Sequence, residues 1–234
     1  MLSRERDFKR FYELLEHISR FHGGTRLLRD CTGRNLWPER GVYFFFEDGE
    51  RRSGSGMGAR VVRVGTHAIT KRREKTKLWE RLRAHRGTVK GSGYQRGSRF
   101  RKLIGASLIK RENLSCPSWD EQKNVPKTAL VTEYPIEQRV SSKIGAMPFL
   151  WLAVDDPPGP ESNRAVIERG AIALLSEADK QPIDPASEGW LGRYCNRPKV
   201  QASGLWNNNH VGDTYDPGFM DVMEHYVERQ NRAT

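Results

Sequence analysis

Cysteine is scarce in this 234-residue chain, and Cys31, Cys116 and Cys195 lie too far apart to form a CxxC pair. An odd, scattered set supports neither a disulfide framework nor a thiolate zinc site, and it fits a reducing cytoplasm. Long apolar runs are missing as well. Nothing approaches the roughly 18 residues of a membrane span, and the opening MLSRERDFKRFYELLEHISRF is charged and amphipathic, unlike a signal peptide. No internal repeat or low-complexity linker divides the chain, so one domain with elaborations is expected. Acidic residues are also short, with 29 Asp and Glu against 40 Lys and Arg, a formal charge of +11. That surplus favours polyanionic partners, because each cation that meets a phosphate releases counterions.

Periodicity supplies the elements. Phe8, Phe11, Leu14, Leu15 and Ile18 recur at three- and four-residue spacing and predict a helix over residues 5–21, ended by Gly23-Gly24. Two runs rich in β-branched and aromatic residues, about 41–47 and 59–65, predict a hairpin. The connection DGERRSGSGMG is too long for a tight turn and is expected to be mobile or folded over a ligand. A helix is expected over 76–86 with Thr76 as its cap, and another around Phe100, Leu103, Ile104 and Leu108, with loop over 112–127. Thr128–Tyr134 and Phe149–Val154 read as strands, the second as a central strand covered on both faces. A helix carrying ESNRAVIERGAIALLS follows, with Pro160 suited to its first turn. From Glu177 onward periodicity is weak until Phe219–Arg229.

Several polar residues sit where these patterns do not demand them. On a helical wheel Glu168 falls between Leu175 and Ile172, inside the apolar surface of its helix. A buried carboxylate needs a partner, either a hard divalent metal or one of the chain's many arginines. Arg81 and His85 lie four apart and share a helix face, which suits either a phosphodiester site or a solvated basic helix. Tyr43 opens the first strand of the hairpin. A phenol ionises near pH 10, so a tyrosine that takes a proton from water needs a cation beside it, and Arg63 and His67 close the paired strand. The segment GSGYQRGSRFRK, with Arg96, Arg99, Arg101 and Lys102, has a composition suited to following a phosphate backbone or entering a groove, and equally to a solvated basic loop and helix. Trp119, Trp190 and Trp206 are expected to pack in the core or against loops rather than stack on bases.

Gly41-Val42-Tyr43 followed by Arg63-Val64-Gly65 resembles the two signature tripeptides of the GIY-YIG nuclease superfamily. The order continues with a helical arginine, matched by Arg81, and a later helical glutamate, matched by Glu168. The Arg81-x₃-His85 pair and SGLWNNNH, residues 203–210, are similar to the branch containing type II restriction endonucleases, in which an asparagine follows the glutamate; Asn207 takes that place. Arg63 stands where the second tripeptide normally begins with tyrosine, which leaves open whether Arg63 or His67 assists Tyr43. The resemblance spans about residues 40 to 210, and the ordered set is far more specific than either tripeptide.

The resemblance implies an α+β fold, with a small, mainly antiparallel sheet flanked by helices. Its catalytic core would be about residues 40–176, between a helical extension over 1–39 and a C-terminal extension over 177–234 that contributes to the site. It implies a metal-dependent DNA endonuclease, of restriction type, acting as a homodimer on a palindromic duplex site in a prokaryotic cytoplasm. Glu168 would hold one Mg²⁺, with Mn²⁺ as its substitute. Tyr43 would activate water, Arg81 with His85 would stabilise the phosphate, and Asn207 would orient the metal shell or a substrate oxygen. A nuclease acting on repair or recombination intermediates, and an inactive nucleic-acid-binding protein on the same scaffold, are the alternatives.

Overall fold

In the computed structural model, which describes residues 3–69, 76–121 and 125–232, a four-stranded antiparallel sheet lies between two groups of helices. Helix α1 (Ser3–His22) leads into a two-residue edge strand, β1 (Arg26–Leu27), and then into the hairpin of β2 (Gly41–Arg51) and β3 (Ala59–Gly65). Helices α2 (Leu78–Arg86), α3 (Arg99–Arg111) and α4 (Lys127–Gly145) precede β4 (Pro148–Ala153). The chain closes with α5 (Asn163–Leu175), α6 (Pro198–Ser203) and α7 (Phe219–Arg232). The strand order is β1-β4-β2-β3, so β4 and β2 are central, as the continuous apolar run FLWLAV requires. The architecture is α+β.

The two-residue alternation of the strands assigns side chains to layers. Val42, Phe44 and Phe46 of β2, with Leu150 and Leu152 of β4, pack against α1, α5 and α7. Tyr43 and Phe45, with Phe149 and Trp151, pack on the other face against α2, α3 and α4. Between Phe45 and Phe46 the register slips: Phe45 pairs with Arg63 but Phe46 with Val61, leaving Val62 as an extra, bulged residue. The carbonyl of Val62 accepts the Trp206 N–H at 2.7 Å. Residues 205–207 thus run along the outer edge of β3 and satisfy groups that an open edge would expose.

The expected strand over 128–134 is instead the start of α4. Its β-branched residues suggest a strand, but Val131 is 75% exposed while Ile136, Val140 and Ile144 recur at helical spacing and are buried. The solvent face of a helix had the composition of a strand. Two helix starts also differ from expectation. Lys77 precedes the first residue of α2, its N–H donating to Glu80 at 3.2 Å, and Ser162 caps α5 by accepting from Ala165 at 3.3 Å, with Pro160 in the turn before it. The hairpin connection is held by the chain's own carboxylate: the N–H groups of Ser53, Gly54 and Ser55 converge on Asp184 Oδ1 at 2.9, 2.9 and 3.0 Å. Trp119, Trp190 and Trp206 are buried in the core.

Candidate active site

The end of the hairpin opens into a cleft of about 660 Å³. Arg63, Thr66 and His67 enter it from β3 and the residues just beyond, Arg81 from α2, Arg99 from the start of α3, and Glu168 from α5. Asn207 to His210 form its far rim. Elements remote in sequence therefore deliver three arginines and two carboxylates, Glu168 and, from α2, Glu80, to a single concavity.

Tyr43 and His85 are fully buried and lie beneath this cleft rather than on its wall. The Tyr43 hydroxyl and His85 Nε2 are 2.8 Å apart, and His85 Nδ1 is 2.7 Å from Ser98 Oγ. The two tripeptides explain themselves here. Tyr43 pairs with Gly65 in the hairpin register, and a Cβ on Gly65 would collide with the Tyr43 hydroxyl and ring. A Cβ on Gly41 would strike the Leu152 carbonyl of the neighbouring strand. Each glycine is required by close approach.

Arg63 lies on the same face as Tyr43, is buried, and places its guanidinium 4.7 Å above the Phe100 ring while donating to the Trp206 carbonyl. Burial pulls its pKa down. The neighbouring Tyr43 and Glu168 oppose that fall, while Arg81 adds to it. His67 is directed elsewhere: its Nε2 lies 3.1 Å from the Glu39 carbonyl, and its own carbonyl accepts Arg164 at 2.7 Å. Burial, with Arg164 and other nearby cations, lowers the His67 pKa to about 4, so the ring is neutral. The cation beside Tyr43 is thus Arg63, and the imidazole that touches it is His85. The expectation that His85 would join Arg81 on the phosphate is corrected accordingly: the two share a helix face, but Arg81 reaches the cleft whereas His85 is consumed by the layer below.

Glu168 is half buried, and its Oε1 accepts the Thr66 N–H at 3.2 Å. Burial raises its carboxyl pKa, while Arg63, the Thr66 N–H, His210 and Arg81 oppose the rise. Asn207 spends both ends of its amide on one backbone residue: Val64 N–H donates to Oδ1 at 3.1 Å, and Nδ2 donates to the Val64 carbonyl at 2.8 Å. It pins β3 rather than reaching toward a metal shell.

Of the four cations expected on DNA, Arg99 alone lines the cleft; it is exposed and donates to Asn209 at 3.3 Å. Arg96 forks onto Glu133 with two bonds of 2.7 Å. Arg101 is fully buried and bonded to Glu137, and Lys102 pairs with Asp120 at 3.0 Å. Their acidic partners lie mostly on α4, where a strand was expected, so sequence could not count these charges as spent. Ser98 was missed altogether. Its local role as N-cap of α3, accepting the Arg101 N–H at 3.2 Å, is the kind of signal a sequence carries; its contact with His85 is tertiary.

Among the described residues no cluster of three His, Cys, Asp or Glu side chains is placed to hold a metal ion. The donor set nevertheless fits a hard dication. One carboxylate facing a polar cleft, with water and substrate phosphate completing the shell, is how Mg²⁺ is commonly bound.

An α+β domain that gathers three arginines and two carboxylates at the mouth of a hairpin with a buried tyrosine has the charge to hold a phosphate-bearing ligand. The chain belongs to the GIY-YIG family: the family model described as the GIY-YIG domain matches residues 2–233, well beyond the motif-bearing stretch. Proteins of this family are nucleases that act on DNA. No curated protein and no solved structure matches the chain.

Proposed function

We propose that the protein is a metal-dependent DNA endonuclease of restriction type that cuts a specific duplex site. The convergence of Arg63, Arg81 and Glu168 on one cleft, directly above Tyr43, carries the reading. Arg81 and Arg99 bind and orient the phosphodiester through charge-assisted hydrogen bonds. Tyr43, with Arg63 beside it and His85 against its hydroxyl, accepts a proton from the attacking water. The hydroxide so formed attacks phosphorus in line, and the bond to the leaving oxygen breaks while Arg81 offsets the developing charge. Glu168 would hold one Mg²⁺, or Mn²⁺ in its place, which supplies Lewis-acid stabilisation of the phosphate and the leaving oxygen. Tyr43 is fully buried in this state, so water must be admitted to its hydroxyl before the step. A palindromic target would pair two copies of the chain about its dyad.

The covered position of Tyr43 also favours a second reading, a DNA-binding protein on this scaffold without chemistry. Incubation with unmethylated genomic DNA and Mg²⁺, followed by sequencing of fragment ends, separates the cases. Discrete ends support restriction, and heterogeneous ends support a repair or recombination nuclease. Absence of cutting with either Mg²⁺ or Mn²⁺ supports the binding protein.

A further inference from the structure

The buried chain from Tyr43 through His85 to Ser98 has a direction, set by the hydrogens each group has left to give. Ser98 Oγ already accepts the Arg101 N–H, and Ser98 is 1% exposed. Among the described residues its hydroxyl has one acceptor in reach, His85 Nδ1 at 2.7 Å. If the hydroxyl donates there, a neutral imidazole carries its proton on Nε2 and donates to the Tyr43 oxygen at 2.8 Å. The reverse direction has Tyr43 donating to Nε2 and Nδ1–H donating to Ser98. It strands the serine proton in a buried position with no acceptor.

Each direction leaves one hydroxyl hydrogen without a partner, and what lies around the two hydroxyls decides between them. The Tyr43 oxygen faces two donors, the Arg63 guanidinium from β3 and the His85 ring from α2, and so is placed to accept from both sides, whereas the Ser98 oxygen has one backbone donor, the Arg101 N–H. The charged groups facing His85 are Arg81 on its own helix, Arg63 from β3 and Arg101 from α3. Burial first, and these cations after it, hold the His85 pKa well below its ordinary value and keep the ring neutral. With both nitrogens satisfied in this way, His85 has no lone pair to take the phenol proton.

We infer that Ser98 is a positioning residue that fixes His85 in the Nε2–H tautomer, so that His85 donates to the Tyr43 oxygen and holds it as a proton acceptor. The inference deepens the nuclease reading and rests on it for its consequence, while the tautomer itself is a property of the resting protein. In the step itself the Tyr43 oxygen, as phenolate, takes one proton from the attacking water and later returns it to bulk water. His85 neither gains nor loses a proton in that step.

The test is the ¹⁵N–¹H spectrum of histidine-labelled full-length protein, read beside turnover. In the wild type at neutral pH, His85 is expected to show a protonated Nε2 and a bare Nδ1. A wild-type spectrum with the proton on Nδ1 overturns the inference whatever the activity. Ser98→Ala is expected to mix the tautomers and lower kcat by about tenfold or more with KM little changed, since losing a tautomer-fixing partner costs orders of magnitude in the Ser-His-Asp triad. Ser98→Thr, which keeps both donor and cap, should recover most of that loss. A Ser98→Ala protein with an unchanged His85 tautomer and a reduced rate would show Ser98 to be a helix cap alone and overturns the inference. Failure of the nuclease reading is separately visible, as full cleavage activity in Tyr43→Phe, and the wild-type spectrum does not depend on turnover.

Discussion

Arg101 sits in a segment whose composition suggests DNA contact, and its burial says otherwise. Its guanidinium is bonded to the Glu137 carboxylate, the Glu137 carbonyl and Ser141 Oγ, and to the carbonyls of His85 at 2.9 Å and Arg86 at 3.3 Å. It thereby ties the end of α2, which carries His85, to α3 and α4. Arg101→Met removes this hub and leaves Glu137 buried with little beyond the Gln95 N–H. Breaking one partner of a buried pair costs about 3–5 kcal/mol, a large share of the roughly 5–15 kcal/mol that stabilises a typical domain. At about 2–4 °C per kcal/mol for this size, the melting temperature should fall by roughly 6–20 °C. Arg101→Met/Glu137→Leu should recover most of the loss, because the stranded charge goes with its partner. The assay is thermal unfolding by circular dichroism, paired with DNA binding across a salt series. Folded Arg101→Met should keep the wild-type salt slope, whereas Arg99→Ala should lower it by about one unit. An Arg101→Met protein that melts like wild type and binds DNA with a reduced slope would refute the reasoning.

Three further outcomes follow from the geometry. Gly65→Ala drives a Cβ into the Tyr43 hydroxyl; cleavage should fall sharply with DNA affinity little changed, and an active Gly65→Ala enzyme would show that Tyr43 need not sit where it does. His67, held neutral with its pKa lowered from 6.5 to about 4, contributes stability that is fully present above pH 6.5. It is lost as pH falls toward 4, where the unfolded chain binds the extra proton; the loss is about 3 kcal/mol. His85 is shifted the same way. Urea midpoints measured from pH 7.5 down to pH 4.5 should therefore decline, and His67→Gln should decline less. Asp184→Ala releases three backbone N–H groups and the Ser55 hydroxyl, so limited proteolysis should cut between residues 52 and 58 in that variant and spare the wild type.

Much of the fold was legible because its signals are local. The hairpin announced itself by β-branched and aromatic runs, α1 and α7 by periodic apolar residues, and β4 by an uninterrupted apolar run. The strand expected over 128–134 failed because Leu130 and Val131 face solvent and mislead a reading based on composition. The site divides similarly. Glu168 and Arg81 could be picked out because one breaks an apolar stripe and the other has a fixed motif spacing. The fate of the other cations depends on partners far along the chain. Arg96 and Arg101 are neutralised by Glu133 and Glu137, and nothing local distinguishes them from Arg99. The same holds for the hairpin's own question. Which cation lies beside Tyr43 follows from the regular pairing of Gly65 with Tyr43 and Arg63 with Phe45, which puts Arg63 on the tyrosine's face, and from the turn after Gly65, which carries His67 to the Glu39 carbonyl.

The most direct test of the account is Mg²⁺-dependent cleavage of duplex DNA by wild type, Tyr43→Phe and Glu168→Gln, each at a protein concentration giving equal DNA occupancy. The account predicts that Tyr43→Phe slows the cleavage step by roughly 10²–10⁴-fold and that Glu168→Gln abolishes metal-dependent cutting, with both variants still binding. Wild-type rates in either variant would contradict it.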